Sequence, residues 1–319
     1  RKLQFLKVTC ILKIIMEDKL NIKNSLLERF LKYVKIWSES DSQKADSGIM
    51  PSTSGQNEMA SVLRDELKSL GLENVQTTEH CYTYGILPAN GSAESSICLL
   101  AHIDTSEEVS GKNVNPKIYE NYSGGKIILC GAELDPQKDS ALSLAAKNGE
   151  TIITSDGTTL LGADDKAGVA EIITAIEEII KENIPHGDIW IGFTPDEEIG
   201  AGPEFFDLDY FKADFAYTVD GDYEGEVAYE NFNAASAVFD ITGVNVHPGE
   251  AKGIMVNAAL VACEIAGMLP ESETPAETEG RQGFYHLTDM NGDVSHASLS
   301  YIIRDHDAAL FNDRLDTLR

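Results

Sequence analysis

Apolar residues follow two different spacings along the first two thirds of the chain. Short, continuously apolar runs predict strands buried in a sheet at 96–102, 189–193 and 215–219. Apolar residues at helical spacing predict helices at 26–34, 56–70 and 166–182. This alternation predicts an α/β domain with a mixed, largely parallel sheet flanked by helices. A ligand is then expected at the carboxyl ends of the strands.

The pattern changes in the last third of the chain. An alternating strand at 235–242 and an apolar helix at 257–268 are followed by short strands at 284–287 and 299–303 and by a charged helix. This order is the opening of a ferredoxin-like α+β unit. The closing strand of such a unit does not follow, so we expect this second domain to be incomplete.

Acidic residues stand where the predicted strands end. Two of them, Glu197 and Glu198, are adjacent and follow the run 189–193 through a Pro- and Gly-marked turn. The other residues in such positions are His102, Asp104, Asp164, Asp165 and Asp220. Adjacent carboxylates repel each other and resist desolvation, so a strand end that directs two of them inward needs a cation. The sequence therefore predicts a metal site assembled from several strand ends.

Imidazole and carboxylate are ligands of zinc and similar ions, and catalytic sites leave one position open for water. His102 and Asp104 lie two apart on a strand, so one can ligate while the other supports the imidazole. One member of the glutamate pair suits ligation and the other suits proton transfer from water, whose pKa a metal lowers to about 7. This chemistry is amide hydrolysis. Taken alone, His102 could be a surface histidine and Asp164 a helix N-cap, but the signals together favour the metal site.

Composition narrows the range of partners. The chain has 53 acidic and 25 basic residues, a formal net charge of −28. This charge argues against nucleic acid or an anionic membrane as a partner, because both are polyanions. Five scattered cysteines predict free thiols in a reducing compartment, and we expect a cytoplasmic protein. Residues 1–15 are apolar but interrupted by lysines, and we expect a non-native or upstream leader rather than a signal peptide.

Further motifs add to these residues. They lie at 102–106, 110–116, 160–168, 184–188, 193–198, 217–221, 230–236, 247–249 and 283–287. With them the chain, from about Lys19 to Arg319, resembles the tripeptide aminopeptidases of the peptidase T group. That group belongs to the two-zinc metallopeptidase family that also holds carboxypeptidase G-type enzymes, aminoacylases and dipeptidases. The segment 110–116 is typical of the group rather than of the wider family.

The resemblance implies two zinc ions per subunit, with Co²⁺ or Mn²⁺ as substitutes. His102 and Asp220 would bind one ion, Asp164 would bridge both, and Glu198 would bind the other. Asp104 would support the His102 side of the site. A histidine that completes the Glu198 ion is expected beyond the last residue, so we expect the chain as given to be inactive on its own.

The resemblance also implies the catalytic roles. Glu197 would be the general base, and His247 would stabilise the oxyanion of the tetrahedral intermediate. Arg304 would hold a substrate carboxylate with its bidentate fork. The alternative interpretation of Arg304 is a salt bridge with Asp305 or Asp307.

By the same resemblance, residues 16–231 form a zinc-binding catalytic domain without its C-terminal portion. Residues 232–319 form a truncated lid and dimerisation-type domain. We expect a hydrolase that removes the N-terminal residue from tripeptides, with small peptides as partners and a homodimer through the lid domain. Two alternatives stay open. One is a related two-zinc hydrolase acting on dipeptides, N-acyl amino acids or C-terminal residues, and the other is a non-catalytic metal-binding fragment.

Overall fold

The computed structural model describes residues 19–91, 95–221 and 225–319. The chain divides into two compact units, Arg1–Glu226 and Val227–Arg319. The predicted domain boundary after residue 231 falls close to this division and stays a prediction. The leader predicted at 1–15 lies outside the described residues. In the described part of the chain, no helix has the length and apolar character needed to cross a membrane.

The first unit alternates helices and strands. Its described helices are α1 (Lys19–Tyr33), α2 (Ser42–Asp46), α3 (Ser54–Ser69), α4 (Ser140–Asn148) and α5 (Ala163–Lys181). Its described strands are β1 (Glu73–Thr77), β2 (Thr83–Leu87), β3 (Ile97–His102), β4 (Lys117–Tyr119), β5 (Ile127–Leu129), β6 (Ala132–Leu134), β7 (Ile152–Thr154), β8 (Ile189–Thr194) and β9 (Phe215–Thr218).

A five-stranded sheet in the order β1-β2-β8-β3-β9 forms the centre of this unit. β3 pairs in parallel with both β8 and β9, whereas β1, β2 and β8 pair antiparallel. The predicted α/β class and mixed sheet are confirmed. The parallel pairing is confined to the half of the sheet that carries the predicted metal residues. The carboxyl ends of β3, β8 and β9 therefore meet at one edge.

The two faces of β8 bury different side chains, because successive strand residues point to opposite faces. Ile191 and Phe193 are fully buried in the main core with side chains of α1, α3 and α5. Burial of such a side chain contributes about 1.5–3 kcal/mol. Trp190 packs on the other face, with ring centroids 5.4 Å from Tyr210 and 6.1 Å from Phe211. Packing on both faces fixes the position of the strand's carboxyl end.

The segment between β3 and α5 forms a small subdomain of its own. In it, β4 pairs with β7 and β5 pairs with β6, both antiparallel. Tyr122, Ile127 and Leu142 form the buried part of its apolar cluster.

The second unit has the predicted order of strand, helix, strand, strand and helix. Its elements are β10 (Asn233–Thr242), α6 (Ala258–Ala266), β11 (Phe284–Gly292), β12 (His296–Asp305) and α7 (Ala308–Leu318). β12 lies between β10 and β11 and pairs antiparallel with both, as in the opening of a ferredoxin-like unit. Both β11 and β12 are longer than predicted. Their added residues near the turn are mostly polar and exposed, so an apolar pattern could not reveal them.

Candidate metal centre

The ends of three neighbouring strands bring the predicted metal residues to one edge of the first sheet. His102 is the last residue of β3, and Asp220 lies just after β9. Glu197 and Glu198 lie in the turn that follows β8, and Asp164 lies at the start of α5. Residues from four separate segments thus meet where the parallel strands end.

His102 lies at the centre of this group. Its Nε2 atom is 2.8 Å from Asp164 Oδ1, 3.8 Å from Glu197 Oε2 and 4.0 Å from Asp220 Oδ2. The imidazole is buried, whereas 72% of the Asp164 side chain is exposed. An imidazole with carboxylates around one nitrogen, open to solvent on one side, has the chemistry of a zinc-type site.

Two groups of side chains have ligand atoms close enough together for a metal ion. One group is His102, Asp164 and Glu198, and the other is His102, Asp165 and Asp220. Within each group the ligand atoms lie within 4.8 Å of one another. All four predicted ligands belong to these groups. His102 is common to both, so the role of Asp164 as the bridging ligand stays a prediction.

Asp104 joins the imidazole of His102 to the turn after β8 that carries Glu197 and Glu198, here called the glutamate turn. This carboxylate is fully buried, and its Oδ1 atom is 3.3 Å from His102 Nδ1. It also accepts the backbone N–H of Glu197 at 3.0 Å and that of Glu198 at 3.1 Å. The sequence placed Asp104 behind His102 only. The link to the glutamate turn is new, and it means that one side chain orients both sides of the site.

Asp165 is a member of the cluster to which the sequence assigned no role. It is buried, and its carboxylate accepts the backbone N–H of His102 at 3.2 Å and the backbone N–H of Gly168 at 3.1 Å. Each oxygen anchors main chain, so Asp165 ties the end of β3 to the start of α5. Two consecutive aspartates before a helix gave no indication of which one would be buried.

Gly168 allows α5 to approach the end of β9 closely. A Cβ atom at this position would lie 1.9 Å from the Val219 carbonyl oxygen and 2.3 Å from Asp165 Oδ1. Both distances are far below van der Waals contact, so a side chain here would force the helix and the strand apart. The backbone of Asp164 and Asp165 is not helical, and regular helix begins after them.

The charges of the cluster favour a bound cation. Burial opposes the charged form of His102, but the Asp104 carboxylate 3.3 Å from Nδ1, with the neighbouring aspartates, raises its pKa to about 10. Burial raises the pKa of Asp165 to about 8. Burial, with repulsion from nearby carboxylates, also raises the pKa values of Glu197 and Glu198. A cation would relieve this repulsion, so the donor set fits a metal ion.

His247 lies in the second unit, just before the short 3₁₀ turn Pro248–Glu250. Its Nδ1 atom accepts the Gly249 N–H at 3.1 Å. In the neutral ring the proton is then on Nε2, which makes that atom a hydrogen-bond donor.

Arg304 also lies in the second unit, and its guanidinium stacks over the Phe232 ring at 4.5 Å from the centroid. In the described chain, the alternative salt bridge to Asp305 or Asp307 is not formed. Asp305 instead accepts from Arg314 Nε at 2.8 Å. The stacked position leaves the role of Arg304 in substrate binding as a prediction.

Comparisons with known proteins agree with this architecture. Residues 229–319 match the family model described as Peptidase dimerisation domain. The aminopeptidase PepT of Bacillus cereus has a similar fold, with a TM-score of 0.67 and 24% identity over 92% of this chain and 70% of that one. A tripeptidase of Staphylococcus aureus gives a TM-score of 0.66 and 22% identity over 92% of this chain and 69% of that one.

A sequence relative shows the family. The peptidase T of Clostridium perfringens strain SM101 is 53% identical over 290 residues, which cover 90% of this chain and 70% of the relative. At this identity and coverage, the chain belongs to the peptidase T family.

Proposed function

We propose that the whole protein is a zinc-dependent aminopeptidase that removes the N-terminal residue from tripeptides. The observation that carries this proposal is the position of Glu197. Its carboxylate lies 3.8 Å from His102 Nε2 but belongs to neither group of ligand atoms. A carboxylate that borders a metal site without serving as a ligand is available to move protons. The family of the chain, and its likeness to a structure described as a tripeptidase, support the choice of substrate.

Two zinc ions suit the imidazole and carboxylate donors of the site. His102 and Asp220 would hold one ion and Glu198 the other, with Asp164 shared between them. When bound, the ions would supply Lewis-acid polarisation of the scissile carbonyl and lower the pKa of water to about 7. Co²⁺ and Mn²⁺ can take the same ligands.

Glu197 acts as the general base. It takes a proton from the attacking water and later gives it to the amine of the departing peptide. Burial raises the pKa of Glu197, and a carboxylate with a raised pKa takes a proton from water more readily than an ordinary carboxylate does. Asp104 fixes the backbone of Glu197, so the carboxylate keeps its direction toward the site.

His247 and Arg304 bind the substrate. His247 donates a hydrogen bond from Nε2 to the oxyanion of the tetrahedral intermediate, and the engagement of its Nδ1 atom supports this role. Arg304 binds the substrate carboxylate. Phe232 covers the face of its guanidinium, and the N–H donors along the edge suit bidentate binding.

We further propose a cytoplasmic homodimer that forms through the lid domain. The match to the Peptidase dimerisation domain supports the assembly. Cys81, Cys98, Cys130 and Cys263 are free thiols, which supports a reducing compartment.

A substrate comparison tests the proposal. The whole protein is purified, stripped of metal with a chelator and reloaded with Zn²⁺. It is then assayed on a tripeptide, on the N-acetylated form of that peptide and on the matching dipeptide. We expect release of the first residue from the free tripeptide only. Preference for the acetylated form or the dipeptide would instead indicate the related two-zinc hydrolase, and zinc binding without any cleavage would indicate a non-catalytic metal-binding protein.

A further inference from the structure

We infer that Asp196 is a positioning residue that directs Glu197 by tying the glutamate turn to the start of α3. The inference rests on the proposed role of Glu197. Asp196 is fully buried, and its φ of 54° lies in the left-handed region. Residues other than glycine seldom adopt this region, although aspartate and asparagine tolerate it best. Such a conformation needs surrounding contacts to maintain it.

Those contacts come from the residues around the first turn of α3. Oδ2 of Asp196 accepts the Ser52 N–H at 2.8 Å. Oδ1 accepts the Ser52 hydroxyl, and it accepts the Gln56 side-chain amide at 2.6 Å. The backbone N–H of Asp196 in turn donates to Gln56 Oε1 at 3.1 Å. Ser52 and Gln56 are buried as well, so these hydrogen bonds are shielded from water.

The glutamate turn is therefore held from two directions. Asp104 holds the N–H groups of Glu197 and Glu198 from the end of β3. Asp196, the residue before Glu197, is held by Ser52 and Gln56 at the start of α3. Without the second hold, residue 196 can relax toward more common backbone conformations, and such a change reorients the next residue along the chain. The carboxylate of Glu197 would then point away from the site while the fold stays intact.

Asp196 and Gln56 form a hydrogen-bonded pair in which the donor and acceptor side chains can be exchanged. Asp196→Asn places an amide donor either against the Gln56 amide donor or, in the flipped orientation, against the Ser52 backbone N–H, so one donor loses its acceptor in both cases. Gln56→Glu places a second carboxylate beside the first in a buried position. The double variant Asp196→Asn/Gln56→Glu restores complementarity, because the new amide donates to the new carboxylate. That carboxylate still accepts the backbone N–H of residue 196, and the total charge equals that of the wild type.

Hydrogen–deuterium exchange of the segment 195–200, measured together with tripeptide hydrolysis, tests the inference. We expect Asp196→Asn to raise the exchange rate of this segment about tenfold or more. It should lower kcat about 10–100-fold with KM changed less than about twofold, because it misdirects a group that acts in the transition state. The double variant should return both measurements to near the wild-type values. If Asp196→Asn does not fold, Gln56→Ala removes only the neutral partner and should raise the exchange in the same way.

The matched control is Glu177→Gln. Glu177 accepts from Arg29 at 2.8 and 2.9 Å and lies about 20 Å along α5 from Asp164. This variant should lower the unfolding temperature without changing kcat or exchange at 195–200. Wild-type exchange at 195–200 in Asp196→Asn, or no rescue by a folded double variant, would overturn the inference. If zinc-loaded wild type cleaves no tripeptide, the proposed function fails, and the exchange measurement alone still decides the role of Asp196.

Discussion

The buried carboxylate of Asp104 accepts the backbone N–H of Glu197 at 3.0 Å. The same carboxylate lies 3.3 Å from the imidazole of His102. The position of the proposed metal-binding ring and the position of the proposed base therefore depend on one side chain. A change at Asp104 should disturb metal binding and proton transfer together, although Asp104 itself contacts neither metal nor substrate in the proposed mechanism.

Asp104→Asn should weaken zinc binding about 10–100-fold and lower kcat as well. The amide keeps the volume of the side chain, but its NH₂ group faces a backbone N–H and leaves that donor unpaired. Competition with a chromophoric chelator measures the zinc affinity. Asp240→Asn is the matched control, because Asp240 also pairs with a histidine, His296 at 3.1 Å, but both side chains are exposed. Wild-type zinc affinity in Asp104→Asn would contradict the positioning role.

Glu197→Gln and Glu198→Gln should affect different properties, catalysis and zinc binding, although the two residues are neighbours. Glu197→Gln should lower kcat about 10²–10⁴-fold and leave the zinc content unchanged, because the amide cannot accept the proton. Glu198→Gln should lower the zinc content, because it replaces an anionic ligand. Metal analysis and hydrolysis assays on both variants check this prediction. The reverse pattern would exchange the two roles.

Metal removal should change how stability depends on pH. Without metal, the pKa of His102 is about 10 in the folded protein, against an ordinary value of 6.5. Protonated His102 therefore contributes stability that is fully present below about pH 6.5 and is lost as the pH rises toward 10. Zinc needs the neutral imidazole, so its contribution grows over the same range. We expect the unfolding temperatures of zinc-loaded and chelated protein to diverge between about pH 6.5 and 9. A constant difference in calorimetry would contradict the proposed link between His102 protonation and zinc binding.

Acid should destabilise the second unit through Asp305. Burial opposes ionisation of this side chain, but the Arg314 guanidinium and the Asp307 N–H lower its pKa below the ordinary value. Its contribution is therefore present above the unfolded pKa of about 3.9 and is lost as the pH falls through the lower folded value. Asp305→Asn should cost about 3 kcal/mol in the free energy of unfolding at pH 7. In urea titrations this cost should shrink toward pH 3, and an effect independent of pH would contradict the ionic origin.

The cysteines should differ in reactivity. Burial raises the pKa of the Cys98 thiol to about 12, and burial with the charges of Asp196 and Asp104 does the same for Cys81. Cys130 and Cys263 are exposed. In an assay with a thiol reagent, Cys130→Ser and Cys263→Ser should each remove one rapidly reacting thiol from the native protein. Cys81→Ser and Cys98→Ser should change only the count measured in denaturant.

The architecture around β8 could be predicted from the sequence. Its apolar run, its turn and the glutamate pair predicted a strand end that carries a metal site, and the structure brings His102, Asp164 and Asp220 to the same edge. The supporting residues could not be predicted. Asp164 is exposed and Asp165 is buried, although they are consecutive aspartates. Likewise, Asp196 depends on Gln56, 140 positions away, and no local pattern indicates that partner.

The close approach of main chain at Gly168 has a consequence for the replacement of one metal ion by another. Main chain lies against main chain where α5 meets the end of β9, so this spacing cannot be adjusted by repacking of side chains. If the proposed metal site is occupied, ions of different radius would then be accommodated by movement of the exposed carboxylates, chiefly Asp164. The buried imidazole of His102 would serve as a fixed reference point, and the solvent-facing carboxylates would adapt to the size of the ion.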